Sequence, residues 1–247
     1  MLNLERQQEI LNILKANKSG TVNYLAKNLH INAATIRRDL TELEKKGLVK
    51  RTYGGALLIE GLNSEIPFYI RENKMRDAKT DIAKKAVETI SNGDIIIMDS
   101  SSTTFNMINF LKNYENLTVI TNGAKTSIAL GELHIRVYCT GGILRENSSS
   151  FTGHHAHSFI NNISADLLFF SCRGISMDGI LYDSSAEEAE LRKVMIKNSK
   201  KNILLCDSSK VGKKAFSKIC DISDIDDIIC EVPLPQELIV KKRGGII

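Results

Sequence analysis

A run of five hydroxyl side chains at residues 100–104 directly follows Asp99 and the apolar segment "IIIM". The apolar segment predicts a buried strand. Hydroxyl groups at a strand end, followed by the free backbone N–H groups of a helix, can bind an anion such as phosphate. A neighbouring aspartate can hydrogen-bond sugar hydroxyls. We therefore predict a site for a small polar anion at Asp99, Ser101, Ser102, Thr103 and Thr104.

Comparable chemistry follows further apolar segments of the chain. Glycines after a strand let backbone approach a ligand closely, and a lysine supplies the point charge that attracts phosphate. One such strand end is more often a helix cap or a turn, but five in one chain favour a ligand site. The additional candidate residues at these strand ends are Thr121, Asn122, Gly141, Gly142, Asp207 and Lys210.

Two other polar clusters carry weaker signals. Three histidines lie within residues 154–157, but adjacent histidines on an extended segment point in opposite directions and no cysteine or carboxylate is close in sequence. No metal site is predicted there. Three glutamates within residues 187–190 fall on a predicted helix, and we interpret them as a solvated face rather than as catalytic acids.

A second chemically suggestive stretch, residues 31–56, reads "INAATIRRDLTELEKKGLVKRTYGGA". Its first half has apolar residues at the i, i+4 and i+7 spacing of one helix face. Thr35, Arg37 and Arg38 must then point away from that face. Arginines on the opening turns of an exposed helix can reach base edges in the major groove of DNA.

The second half of this stretch alternates around Gly54 and Gly55, which predicts a β-hairpin wing. Two preceding helices at residues 4–16 and 22–30 would complete a winged helix-turn-helix. The alternative is an ordinary surface helix with i,i+4 charge pairs. If this stretch forms a winged helix-turn-helix, three of its residues lie along the adjacent DNA phosphates: Lys50, Arg51 and Tyr53.

The distribution of charge supports a nucleic-acid-binding head. Residues 1–60 contain ten basic and six acidic side chains, so they account for the whole net charge of +4, and the remainder of the chain is neutral. A small basic module attached to a larger neutral one is typical of proteins that bind nucleic acid.

The rest of the 247 residues alternates apolar strands with helices, which predicts an α/β domain with a mostly parallel sheet. The predicted organisation is a winged helix-turn-helix at residues 1–57, a connector at 58–74 and the α/β domain at 75–247. Five scattered cysteines without a C-x-x-C pair indicate reduced thiols in a cytoplasmic protein. No apolar run is long enough to predict a membrane span.

Both regions resemble the DeoR family of bacterial transcription regulators. In the head, the family pattern falls on Arg6, on "NAATIRRDL" at residues 32–40 and on "GGA" at residues 54–56. The resemblance and the helix geometry together assign DNA binding to Ala33, Thr35, Arg37, Arg38, Lys50, Arg51, Tyr53, Gly54 and Gly55.

The C-terminal region resembles the sensor domain of the same family, which is similar in fold to ribose-5-phosphate isomerase and coenzyme A transferases. The family's Asp-x-Gly-Ser/Thr-Thr falls on residues 99–103, with Ser101 in place of the glycine. Its Thr-Asn falls on 121–122 and its Asp-x-Ser-Lys on 207–210. The resemblance also implies roles for the Gly-Gly pair with a following basic residue and for a later glycine: Gly141, Gly142, Arg145 and Gly153.

The resemblance implies a repressor of a carbohydrate-utilisation operon that binds a double-stranded DNA operator as a homo-oligomer, a dimer or larger. A phosphorylated sugar would modulate operator binding, and no cofactor or enzymatic activity is expected. The alternative is a sugar-phosphate isomerase or transferase with an appended DNA-binding module. Such isomerases carry an acidic Asp-Gly-x-Asp-Glu loop, which the nearest stretch, "RGISMDG", lacks.

Overall fold

The computed structural model describes residues 2–58 and 66–241. The chain divides into two compact units, with the boundary between Arg71 and Glu72. This boundary falls inside the segment 58–74 that the sequence assigns to a connector. Among the described residues, no helix combines the length and the apolar character needed to cross a bilayer.

The N-terminal unit combines three helices, a three-stranded antiparallel sheet and the start of a fourth helix. The sheet has the strand order β1-β3-β2. The elements are α1 (Asn3–Asn17), β1 (Ser19–Thr21), α2 (Val22–Leu29), α3 (Ala33–Lys45), β2 (Val49–Thr52), β3 (Gly55–Leu58) and α4 (Phe68–Asn73). The predicted winged helix-turn-helix therefore forms, and the first residues of α4 pack against it through Ile70.

Side-chain caps mark where α2 and α3 begin. Thr21 accepts a hydrogen bond from the backbone N–H of Tyr24 at 3.1 Å and starts α2. Asn32 accepts one from Thr35 N–H at 2.8 Å and starts α3. Such caps satisfy backbone donors that a helix leaves unpaired at its start. Gly47, with φ of 68°, follows the last turn of α3, as the sequence predicts.

The turn of the wing lies one residue earlier than the sequence predicts. Thr52 pairs with Gly55, so Tyr53 and Gly54 form the turn and Gly55 begins β3. A Cβ atom at Gly55 would lie 2.3 Å from the carbonyl oxygen of Gly20 on β1. Gly55 is therefore needed for the close approach of β3 to β1, a short strand that the sequence did not predict.

Gly55→Ala is expected to destabilise the N-terminal unit by about 1–3 kcal/mol, because the added methyl group must displace the backbone of β1. Hydrogen exchange of the backbone amides in residues 2–58 of the full chain measures this loss locally. Thr52→Ala, an exposed position on the opposite strand, is the control. Equal protection in the two variants would contradict the close-approach explanation.

The C-terminal unit is a three-layer α/β domain with small antiparallel additions. Two short 3₁₀ turns occur at Ser208–Lys210 and Ile222–Asp224. The other elements are α5 (Arg76–Val87), β4 (Ile95–Met98), α6 (Ser102–Phe105), α7 (Ile108–Leu111), β5 (Thr118–Thr121), α8 (Ala124–Glu132), β6 (Arg136–Cys139), β7 (Ile143–Arg145), β8 (Ser150–Thr152), α9 (His154–Asn161), β9 (Ala165–Phe170), β10 (Gly174–Ile175), β11 (Ile180–Asp183), α10 (Ala186–Lys197), β12 (Ser199–Leu205), β13 (Ser217–Asp221), β14 (Asp227–Ile229) and α11 (Gln236–Lys241).

The central sheet has six parallel strands in the order β14-β12-β9-β4-β5-β6. The predicted mostly parallel α/β fold is thus confirmed. Alternate residues of β4 enter two separate apolar cores: Ile97 enters one and Ile96 the other. The sequence did not predict the β7–β8 hairpin or the antiparallel sheet β10-β11-β13.

The chain enters this sheet at its centre. It runs outward from β4 to β6 and then returns to place β9 on the other side of β4. The crevice between two strands whose connections leave in opposite directions is the usual ligand site of an open parallel sheet. The carboxyl ends of β4 and β9 therefore identify where the polar residues after these strands should meet.

Candidate functional site

The exposed surface of α3 carries two of the residues predicted to bind DNA. Arg37 and Arg38 are exposed on the first half of the helix, whereas Ile36 and Leu40 are fully buried on its other side. Ala33 and Thr35 are partly exposed on the opening turn. The helix thus presents two guanidinium groups and a hydroxyl at its N-terminal end, the arrangement of a helix that reads the major groove.

Some residues of the wing are exposed, and one forms hydrogen bonds to α3. Lys50 and Tyr53 are exposed and are free of any role in the core. Arg51 instead donates through Nη1 to the Thr41 hydroxyl at 2.7 Å and to the Arg37 carbonyl at 3.4 Å. Arg51 therefore connects the wing to α3 through hydrogen bonds. Gly54 is exposed at the turn.

A buried ion pair sets the orientation of α3 on α1. Asp39, within the "TIRRDL" stretch, is fully buried and accepts from Arg6 Nε at 2.5 Å and from Arg6 Nη2 at 2.9 Å. The hydrogen bond to Asp39 raises the pKa of the Arg6 guanidinium above its ordinary value. Asp39 thus positions the helix and does not face solvent.

In the C-terminal unit, Lys210 joins the ends of three strands. Its ammonium donates to the Ser171 hydroxyl at 2.6 Å and the Thr103 hydroxyl at 3.2 Å, and it lies 3.4 Å from Asp207 Oδ2. Ser171 follows β9, Thr103 follows β4, and Asp207 follows β12. The lysine therefore lies at the switch point of the sheet, where the topology predicts a ligand.

A second lysine reaches the same hydroxyl cluster from α5. Lys79 is 3% exposed and donates to the Ser102 hydroxyl at 3.0 Å. Burial alone would raise the pKa of the Asp207 carboxyl, but the charges of Lys210 and Lys79 and a hydrogen bond from Ser209 lower it below its ordinary value. Two cations and one ionised carboxylate thus surround the hydroxyls. We call Lys79, Ser102, Thr103, Ser171 and Lys210 the two-lysine cluster.

The Asp99 carboxylate is fully occupied by the protein. Oδ1 accepts from Ser101 N–H at 3.0 Å and from the Thr104 hydroxyl at 2.9 Å. Oδ2 accepts from Ser171 N–H at 3.1 Å and from Arg192 Nε at 2.9 Å. Asp99 therefore fixes the loop after β4 to the end of β9, and its geometry favours a positioning role over direct ligand contact.

Arg192 on α10 is the centre of a buried ionic cluster. Its Nη1 lies 2.7 Å from Asp183 Oδ2 and its Nη2 lies 3.2 Å from Glu188 Oε2, in addition to the bond to Asp99. Burial lowers the pKa of this guanidinium, but the charges of Asp183, Asp99 and Glu188 outweigh burial and raise it. Glu188 is 5% exposed, so the interpretation of all three glutamates as a solvated face was wrong for this one.

Asn122, at the end of β5, has an unmet hydrogen-bonding group. Its Nδ2 donates to the Phe151 carbonyl at 3.1 Å and to the Ser100 hydroxyl at 3.4 Å. Its Oδ1 is buried and has no hydrogen-bond partner within residues 2–58 and 66–241. Buried polar atoms are nearly always hydrogen-bonded, so this oxygen is an acceptor that a ligand hydroxyl can satisfy.

The other predicted effector residues serve mainly to build the loops. The hydroxyls of Ser101 and Thr121 accept from the backbone N–H groups of Thr104 and Gly123. A Cβ at Gly142, where φ is +114°, would lie 2.5 Å from the Thr152 carbonyl oxygen. Gly141 and Gly153 flank the β7–β8 hairpin, and both have positive φ. Arg145 is the last residue of β7, and its Nη1 lies 3.3 Å from Glu187 Oε2.

The histidines at residues 154–157 lie on helix α9 rather than on an extended segment. His154 and His155 contact each other edge to face, with ring centroids 6.1 Å apart. In the part of the chain that the structure describes, no group of three or more histidine, cysteine or acidic side chains is arranged to hold a metal ion.

Sequence reasoning missed Lys79, Arg192 and Ser171. Two of them carried a usable signal: Lys79 precedes the buried residues 82, 83 and 86 of α5 at helical spacing, and Arg192 falls on the buried face of α10. A charged residue on an apolar face indicates a buried ionic or ligand-binding group. Ser171, a single serine after a strand, carried no such signal.

The family matches cover most of the chain. Residues 6–61 match the DeoR-like helix-turn-helix domain, and residues 74–232 match the DeoR C terminal sensor domain. These two matches correspond to the N-terminal unit and to the α/β unit described above.

Several curated relatives align over nearly their full length. The uncharacterized HTH-type transcriptional regulator YulB of Bacillus subtilis is 39% identical, over 94% of this chain and 90% of its own. The lactose phosphotransferase system repressor of Staphylococcus epidermidis is 31% identical, over 92% and 91%. The L-fucose operon activator of Escherichia coli is 32% identical, over 92% and 94%.

Among solved structures, eIF2B delta from Chaetomium thermophilum matches with a TM-score of 0.50 and 17% identity, over 67% of this chain and 60% of that chain. A ribose-5-phosphate isomerase in complex with phospho-erythronic acid matches with a TM-score of 0.42 and 14% identity, over 55% and 54%. The first likeness concerns the fold alone, and the second is too distant for an argument. On the family matches and the curated relatives, the chain belongs to the DeoR family of transcriptional regulators and is a regulator rather than an enzyme.

Proposed function

We propose that the N-terminal unit binds a specific double-stranded DNA operator and that the protein represses a carbohydrate-utilisation operon. The observation that carries the DNA-binding part is the exposure of Arg37 and Arg38 on the opening turns of α3, beside an exposed basic wing residue, Lys50. The names of relatives that regulate lactose and L-fucose systems support a carbohydrate operon. The relative that regulates the lactose system is a repressor, which supports repression rather than activation.

A homo-oligomer, a dimer or larger, is part of this proposal. One winged helix-turn-helix reads only one half-site of an operator, and two-fold related heads read the two halves of a palindrome. Residues 2–58 and 66–241 contain one such head, which supports the binding of two copies to a complete operator.

We further propose that the effector is a phosphorylated sugar, held at the switch point of the sheet. The two ammonium groups of the two-lysine cluster donate to hydroxyls that are close in the chain, Ser102 and Thr103. A phosphate can replace those hydroxyls as the acceptor for both lysines. Helix α6 has only four residues, so we attribute the attraction for the anion to the lysines rather than to a helix dipole.

The remainder of the effector would be recognised by groups that bind hydroxyls. The unpartnered Oδ1 of Asn122 accepts a hydrogen bond, and the Asp207 carboxylate, 2% exposed, accepts others. A ligand that carries both a phosphate and several hydroxyls matches this combination of cations and acceptors. Sugar phosphates have both.

The test is a DNA-binding assay with the DNA upstream of the protein's own gene. We expect salt-dependent, saturable binding that one phosphorylated sugar reverses and the same sugar without phosphate does not. Release by the unphosphorylated sugar alone would overturn the effector proposal. Equal affinity for unrelated DNA of the same length would overturn the operator proposal.

Arg38→Ala is expected to weaken operator binding by about 1–3 kcal/mol, the effect of losing one arginine contact to a base or phosphate. Fluorescence anisotropy with labelled operator measures the change. Lys45→Ala is the matched control, because Lys45 is an exposed cation on the same helix about 10 Å further along its axis. Wild-type affinity in Arg38→Ala, with unchanged circular dichroism, would remove this arginine from the interface.

A further inference from the structure

Three cysteines form a row at the carboxyl edge of the central sheet. The register of β9 and β12 pairs Phe170 with Leu204, and continuing it by two residues aligns Cys172 with Cys206. The register of β12 and β14 pairs Leu205 with Ile229, and one further step aligns Cys206 with Cys230. All three belong to the same apolar core cluster and are free thiols.

Two of these thiols lie on directly adjacent strand ends, because the Ser171 hydroxyl beside Cys172 donates to the Leu205 carbonyl beside Cys206. The Cys206 thiol itself donates to the Asp207 carbonyl at 3.4 Å. The neighbouring Cys206 thiol, helped by the charges of Lys210 and Arg192, lowers the pKa of the Cys172 thiol despite its burial and the charge of Asp183. The neighbouring Cys172 thiol and burial raise the pKa of the Cys206 thiol. Cys172 is 6% exposed and Cys206 is not exposed at all, so Cys172 is both the more acidic and the more accessible thiol.

The third cysteine is engaged elsewhere. Cys230 donates to the Glu231 carboxylate at 3.2 Å, and burial raises the pKa of its thiol to about 11. A thiol that stays protonated is a poor nucleophile. The reactive pair in the row is therefore Cys172 with Cys206.

This thiol pair is continuous with the two-lysine cluster. Cys172 directly follows Ser171, whose hydroxyl accepts from Lys210 and donates to the Leu205 carbonyl. Cys206 directly precedes Asp207, which lies 3.4 Å from Lys210. Any movement of the two cysteines towards each other therefore moves two neighbours of Lys210.

We propose that Cys172 and Cys206 are a hydroperoxide-reactive thiol pair, whose oxidation to a disulfide disables the anion site. Neighbouring strands lie about 4.8 Å apart, within the range of about 4.4–6.8 Å between Cα atoms that a disulfide spans. The register supplies the alignment, and both side chains enter the same apolar core, so the two thiols lie on one face of the sheet.

The chemistry balances with hydrogen peroxide as the oxidant. The Cys172 thiolate attacks one peroxide oxygen, the O–O bond breaks, and a sulfenic acid and one hydroxide form. The Cys206 sulfur then attacks the sulfenic sulfur, the S–S bond forms, and the hydroxyl group leaves with the Cys206 proton as water. Two thiols and one peroxide give one disulfide and two waters, so two electrons pass from sulfur to oxygen.

Peptide mapping of the full-length protein tests the pairing. Trypsin places Cys172 in residues 146–173 and Cys206 in residues 202–210, each as the single cysteine of its peptide, and Cys139 in residues 137–145. After hydrogen peroxide and alkylation, we expect the first two peptides to be recovered joined, two hydrogens lighter than their sum. The Cys139 peptide should stay alkylated, and dithiothreitol should separate the joined pair.

Serine variants distinguish the thiol that attacks peroxide from the thiol that attacks the sulfenic acid. Cys172→Ser should abolish the joined peptide, and Cys206→Ser should leave Cys172 as a sulfenic acid that dimedone traps. Cys139→Ser, the matched control, should leave the joined peptide unchanged. Full alkylation of both cysteines after peroxide would overturn the proposal, and so would joining of either to residues 219–241, which contain the other two cysteines. The wild-type map decides the matter even where a variant fails to fold.

The effect on the anion site rests on the proposed function and has a separate readout. Inorganic phosphate is the probe, and we expect oxidation to weaken its binding about tenfold, as for loss of one charge-assisted hydrogen bond, with recovery after dithiothreitol. A joined peptide with unchanged phosphate affinity would overturn the coupling. Absence of phosphate binding in the reduced protein would instead count against the effector site, and the peptide map would still test the thiol pair.

Discussion

Arg192→Ala is expected to lower the free energy of unfolding of the sensor domain by about 3–5 kcal/mol. The arginine is 4% exposed and is the shared partner of Asp99, Asp183 and Glu188. Its removal leaves three carboxylates close together in the interior without their common cation. Urea unfolding followed by circular dichroism measures the loss, and retention of the wild-type midpoint would contradict the role of this cluster.

The adjacent lysine is the matched control for this variant. Lys193 pairs with Glu190 on the exposed side of the same helix, and exposed pairs contribute about 0–1 kcal/mol. Lys193→Ala should therefore unfold close to the wild type. Arg192→Lys keeps the charge but lacks the planar fork that serves three partners, so its midpoint should lie between those of Arg192→Ala and the wild type.

Lys210→Ala is expected to weaken binding of the phosphorylated effector by about 1.5–3 kcal/mol, or roughly 10–150-fold in dissociation constant. The lysine supplies one of the two ammonium groups of the two-lysine cluster. Operator binding without effector should be retained, so the variant should bind DNA but no longer respond to the effector. Titration calorimetry with the sugar phosphate that releases DNA measures the change.

Two further variants separate this role from a general loss of positive charge. Lys79→Met should weaken effector binding as well, because the buried ammonium of Lys79 reaches Ser102. Lys213→Ala removes an exposed lysine three residues beyond Lys210 and should bind the effector normally. If the effector raises the melting temperature of all three variants as much as that of the wild type, the phosphate binds elsewhere.

The local patterns were sufficient to predict most of the elements. Ile36, Leu40 and Leu43 specify one face of α3, and the caps at Thr21 and Asn32 fix where two helices begin. The apolar strands followed by small polar residues predicted a parallel sheet with polar groups at one edge. These features depend on residues within a few positions of each other, so a single sequence contains them.

What the sequence could not supply is which strand ends become neighbours. Ser171 meets Lys210 only because β9 returns beside β4, and no local pattern encodes that return. The turn of the wing was misplaced because Tyr53-Gly54 and Gly54-Gly55 both suit a two-residue hairpin. Strand β1 was missed because three residues, "SGT", carry no periodicity.

The central position of β4 has a consequence for how the chain is made. Ile96 on β4 pairs with Leu167 on β9, so roughly seventy residues must be synthesised after β4 before its second neighbour exists. The N-terminal unit, built from contacts between near neighbours in sequence, can fold early on the ribosome. The crevice between β4 and β9 forms only after β9 has been synthesised, so a nascent chain that ends before β9 would contain the N-terminal unit and lack the proposed effector site.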